Sequence, residues 1–132
     1  MATGNNENSV ITRKRRIKLC QASSDPEKPL APITHIALGS GGVDEAGNPT
    51  PPGEEQTALN RELARYPIDG YTYPVETTVR YCVTIPEDAL PGESINEAAL
   101  VDSDGDLAAI KTMYTKRKDA GVIFMFEFDD EF

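Results

Sequence analysis

Apolar and polar residues alternate along much of this chain, and the period of two is the mark of half-buried β-strands. Between Val75 and Ile85, the residues Val75, Thr77, Val79, Tyr81, Val83 and Ile85 fall on one face. Glu76, Thr78, Arg80 and Thr84 fall on the other, and Pro86 closes the run. Two further alternating runs lie between Ile95 and Ile110 on either side of Asp104-Gly105. An Asp-Gly pair between strand-like runs predicts a β-hairpin with a tight primed turn, because these residues tolerate positive φ. A last run sets Val122, Phe124, Phe126 and Phe128 against Ile123, Met125 and Glu127, which predicts a strand central in a sheet, its end blunted by Asp129-Asp130-Glu131. Ile33 to Leu38 reads as a strand. Ile17 and Leu19, alternating with Arg16, Lys18 and Cys20, predict a short strand with one basic face within Ile11–Cys20. The period changes in Thr57–Arg65, where Leu59 and Leu63 stand four apart behind Thr57 as a cap and ahead of Pro67, so a helix is expected there. The pattern as a whole predicts a mainly β fold, an antiparallel β-sandwich or rolled sheet with one short helix. Its core should include Val79, Tyr81, Val83, Leu100, Ile110, Phe124 and Phe126.

The intervening segments are rich in chain breakers. Pro26, Pro29 and Pro32 mark an irregular connection, and residues 39–53 hold five glycines and three prolines. Loops of that length are often functional. The bunched Gly39, Gly41 and Gly42 do not make a phosphate cradle, since Val43-Asp44-Glu45 supplies neither the dinucleotide spacing nor a Gly-Lys-Ser/Thr ending.

With 132 residues, the chain has the length of one domain. Charge divides it: residues 1–20 hold five basic side chains and one acid, a balance of +4, and the remainder holds eight basic side chains and 21 acids, a balance of −13. Residues 1–20 are therefore expected to be a flexible basic arm and 21–132 a single β-rich domain. Arg13, Lys14, Arg15, Arg16 and Lys18 are the candidate partner-binding residues, the other reading being a solvated strand edge. A net charge of −9 argues against nucleic acid as the main partner. No apolar run is long enough to span a membrane, and the first residues lack the pattern of a signal peptide. Cys20 and Cys82 match neither a zinc site nor a disulfide framework and are expected to be free thiols.

Catalytic chemistry has little to work with. His35 is the single histidine and lies inside a strand-like run, where a sheet histidine is the simpler reading. Asp102, Asp104 and Asp106 invite a calcium reading, but Gly105 occupies the fourth place of such a loop and Met113 the twelfth, which should carry an acid. Asp104 and Gly105 are read as the hairpin turn, and neither a metal, a cofactor nor a catalytic residue is assigned.

Three segments resemble a known family. Glu97, Leu100, Asp102, Asp104-Gly105, Leu107 and Ala109 match an E-x-x-L-x-D-x-D-G-x-L-x-A hairpin. Ile33-Thr34-His35, Ala37, Gly39 and Gly41 match an I-T-H-x-A-x-G-x-G opening, and Thr57, Leu59, Glu62, Arg65, Pro67 and Ile68 match T-x-L-x-x-E followed by R-x-P-I. In this order and spacing they resemble the phage tail-collar fibre protein domain. The resemblance implies a non-enzymatic structural component of a phage tail or related contractile particle, linking baseplate and fibre. It also implies a trimer among other tail, baseplate or fibre proteins, resident in the virion tail and made in the host cytoplasm. The alternative is a ligand- or glycan-binding β-sandwich that uses the 39–53 loop.

Overall fold

The computed structural model describes residues 8–132. Along it run β1 (Ser9–Ile11), α1 (Arg13–Ser24), β2 (Ile33–Gly39), β3 (Glu62–Pro67), β4 (Gly70–Val75), β5 (Thr78–Ile85), β6 (Glu93–Asp102), β7 (Leu107–Lys118) and β8 (Phe124–Glu131). The expected hairpin is the β6–β7 pair. Its turn is not the tight primed form, however. Gly105 N donates to Asp102 O and Asp102 N to Asp106 O, each at 2.9 Å, and within the turn only Gly105 has a positive φ, +86°. This is a three-residue connection closed by a left-handed glycine, so Asp104 keeps an ordinary backbone.

Two antiparallel sheets stack as a sandwich. The larger has the order β1-β7-β6-β2-β3 and the smaller β4-β5-β8. Ile36, Leu38, Ile95 and Leu100 of the large sheet meet Val83, Ile85, Phe126 and Phe128 of the small one. Because side chains alternate along a strand, Ala37, Ala99 and Val101 face the other way. There, with Leu107 and Ile110, they form a second apolar layer beneath Leu59 and Val10. Of the expected core, Val83, Leu100, Ile110 and Phe126 are buried, while Val79, Tyr81 and Phe124 are partly covered.

The helix and one strand exchange places relative to expectation. Residues 13–24 are helical because Thr12, fully buried, caps them by accepting from Arg15 N at 3.1 Å while donating its hydroxyl to Leu107 O at 2.7 Å. The segment that follows is mostly good helix formers, and Pro26 comes just after it. Two alternating apolar residues are too few to outweigh that. The basic segment is thus a docked helix, and the expected boundary at residue 20 falls inside it. Residues 1–7 of the expected arm lie outside the described residues. In the other direction, Thr57–Arg65 forms no helix: the amides of Asn60 and Arg61 are taken by the Glu97 carboxylate, and the chain from Glu62 pairs with β2.

The strand expected from Val75 is two, since Glu76-Thr77 turns β4 back against β5. β8 lies at an edge of the small sheet, paired to β5 alone, and continues through the acids that were expected to end it. Its aromatic inner face needs only one covering sheet. The exposed Ile123 and Met125 misled because outward apolar residues are common on folded surfaces.

Candidate functional site

Asp102 ends β6 with its side chain only 1% exposed. One oxygen, Oδ1, accepts from the amides of Asp104 at 3.0 Å and Asp106 at 3.1 Å, folding the turn around itself. Oδ2 faces α1 and accepts from Lys18 Nζ at 2.6 Å. The same ammonium reaches Asp106 at 2.8 Å and Asp104 at 3.0 Å, so its three donors meet three carboxylates. Burial works against the charge of Lys18, but the bonds to Asp102, Asp106 and Asp104 outweigh it and hold the ammonium well above its ordinary pKa. Asp106 is held below the usual carboxylate range by its bonds to Lys18 and Lys14, against a smaller effect of burial. The carboxylate atoms of the triad lie within 4.8 Å of one another, the kind of cluster that hard cations use. Here Lys18 supplies the positive charge.

The rest of α1 sorts by direction. Lys14 Nζ lies 2.9 Å from Asp106 Oδ1. Buried Arg15 donates to Ala31 O at 2.7 Å and stands 3.8 Å from Asp102. Arg16 makes only an exposed pair with Glu54 at 3.3 Å, and Arg13 is exposed beside it. Of the five basic candidates, three therefore bind the chain's own hairpin tip and two face out. The helical spacing decides this, and the strand reading concealed it.

A second carboxylate orders the glycine-rich segment. Glu97, 1% exposed on β6, accepts from Gly41 N at 2.8 Å and Arg61 N at 2.8 Å through Oε2, and from Asn60 N at 3.0 Å through Oε1. Next to it Asn96 Oδ1 accepts from Gly42 N at 2.8 Å. A Cβ at Gly39 would stand 2.5 Å from Arg61 O, and one at Gly42 would collide with Asn96 O. These glycines are required for close approach and none has a positive φ. The start of the 39–53 loop is thereby packed onto β6, and its amides are occupied. Arg65 pairs with Glu62 at 2.7 Å and donates to Gly105 O at 3.1 Å, tying β3 to the hairpin tip. His35 Nδ1 lies 2.9 Å from Thr34 Oγ1 in the middle of a pair of β-ladders.

One buried acid had no signal in the sequence. Asp130 follows Phe126 and Phe128 on the inner face of β8 and is 6% exposed, with Oδ1 unpartnered among the described residues. Burial pushes its carboxyl up to about 6, opposed by the nearby Arg15. No helix of the described residues is long and apolar enough to cross a membrane.

The residues that carry the three sequence segments thus converge on one construction. Glu97 gathers the glycine loop, Asp102 folds the hairpin tip and seats α1, and Arg65 ties β3 to that tip. Their charge is spent on holding backbone in place, which suits a structural part. No curated protein and no solved structure matches the chain. The family model for the phage tail-collar fibre protein, N-terminal, matches residues 5–122 and so spans α1, the whole large sheet, β4 and β5 of the small one, and all three segments; the chain belongs to that family and is a structural component of a phage tail fibre.

Proposed function

We propose that this chain joins a phage tail or its baseplate to a fibre, acting as a trimer in contact with other tail proteins after synthesis in the host cytoplasm. The observation that carries the reading is the division of labour on α1. Lys14, Arg15 and Lys18 fix the helix to the hairpin tip, which leaves Arg13, with Arg16 beside it paired to Glu54, facing out from an acidic body. Such a surface steers association toward an acidic neighbour. The occupied amides of Gly41 and Gly42 favour this structural reading over ligand binding by the 39–53 loop.

Quantitative mass spectrometry of purified particles tests it. The chain should be present at a fixed ratio to tail proteins, and Arg13→Glu/Arg16→Glu should fold normally yet be depleted from particles. Absence of the wild-type chain from particles, or full incorporation of the variant, would overturn the reading.

A further inference from the structure

Two outward faces of this molecule complement each other but lie on different elements. Arg13, Arg16, Ile17 and Cys20 stand at i, i+3, i+4 and i+7 of α1 and so share one side of the helix. With Gln21 they line a shallow groove of about 350 Å³, where Ile17 remains 45% exposed, Arg16 pairs with Glu54 at 3.3 Å and Arg13 supplies the positive charge. The second face is the outer side of the small sheet. The β5–β8 register sets Arg80 opposite Asp129, Cys82 opposite Glu127, and Thr84 opposite Met125. Arg80 grips Asp129 with two bonds of 2.8 and 3.0 Å, so that pair is neutral. Glu127 beside Cys82, and Asp69 bonded to Thr84 at 2.6 Å, keep the face acidic. Met125, 72% exposed, is its apolar knob.

We propose that these faces meet between copies: the basic groove of α1 in one molecule seats on the acidic outer face of β5 and β8 in the next, with Ile17 against Met125. The proposal rests on the reading of the chain as a multi-copy tail component. The charge pattern selects which faces meet. At a net charge of −9, copies repel unless positive surface meets negative surface. A two-fold contact can meet this condition reciprocally, with α1 of each copy on the sheet of the other. A head-to-tail contact pairs opposite charges at every junction and closes into a ring when the rotation permits. The faces are small, so one junction is weak, and stability comes from several copies held together on the particle.

The native cysteines report the arrangement, since Cys20 lines the groove and Cys82 sits in the acidic face. A mixture of isotope-labelled and unlabelled protein at high concentration is treated with a short bismaleimide and the linked peptides are sequenced. Links between Cys20 of one copy and Cys82 of another are expected to dominate. Arg13→Glu/Arg16→Glu and Glu127→Arg should each reduce that link by about tenfold, and mixing the two variants should restore it. Predominance of Cys20–Cys20 or Cys82–Cys82 links, no link between copies, or variants that link as well as wild type would overturn the contact. Failure of the chain to appear in particles while these links form would instead overturn the functional reading.

Discussion

Replacing Lys18 with Met keeps the aliphatic stem and deletes the charge that seats α1. The loss can be bounded from the structure. Breaking a buried ion pair by removing one partner costs about 3–5 kcal/mol, because the remaining charge is left uncompensated in a poor solvent. Asp102, at 1% exposure, meets that condition, whereas Asp104 is largely exposed and can be hydrated. Asp102 also keeps its two backbone donors from Asp104 and Asp106. The expected destabilisation is therefore toward or just below the low end, about 2–4 kcal/mol at pH 7. Urea unfolding followed by circular dichroism would measure it, and α1 should lose helicity before the sheets unfold. The pH dependence supplies a second check. In the wild type, Asp106 has a lowered folded pKa, so its contribution is present above the unfolded carboxylate value and is lost as pH falls through the folded one. In the variant Asp106 keeps only Lys14 of its two ammonium partners, so less of that contribution remains to be lost, and the deficit should shrink as pH falls below about 4. A loss below about 0.5 kcal/mol, or a deficit independent of pH, would refute the claim that Lys18 holds the helix in place.

Phe128→Ala, which empties a fully buried site between the sheets, should cost about 3–5 kcal/mol in the same assay, with Phe124→Ala smaller because that ring is only partly covered. Glu97→Ala should cost about 2–4 kcal/mol by stranding the amides of Gly41, Asn60 and Arg61, and hydrogen exchange should show those amides losing protection before the β6–β7 ladder does. Asp130→Asn should stabilise the protein at neutral pH. Because the folded carboxyl is raised to about 6, the native state binds the extra proton between the unfolded value near 4 and that point, and wild-type stability falls as pH rises through this window. About 3 kcal/mol of pH dependence should accordingly vanish in the variant, and equal pH profiles for the two proteins would contradict it.

The sequence by itself determined the features that depend on short-range pattern. Alternation around Asp104-Gly105 specified the β6–β7 hairpin, and the apolar runs specified a sandwich or rolled sheet with Val83, Leu100, Ile110 and Phe126 buried, of which Ile110 lies in the second layer on the far face of the large sheet. A period of two together with a turn residue is enough to place a hairpin, because both signals come from the segment's own backbone and side chains. Three segments in order were enough for the family.

Tertiary structure decided where a segment's backbone bonds were captured from far away. Thr57–Arg65 carries a helical spacing, but Glu97, distant in sequence, takes the amides of Asn60 and Arg61, and β2 takes the strand that follows. Arg13–Ser24 did carry a local helix signal in Thr12 and its run of helix formers. What its charges do could not be read there, since the partners of Lys18 lie more than eighty residues away. Nor does a run of acids at the end of a strand reveal that Asp130 is buried, because burial depends on which sheet face closes over it. Local propensity is worth tenths of a kcal/mol per residue, whereas a buried carboxylate demands partners worth several, so wherever the two compete the long-range contact sets the outcome.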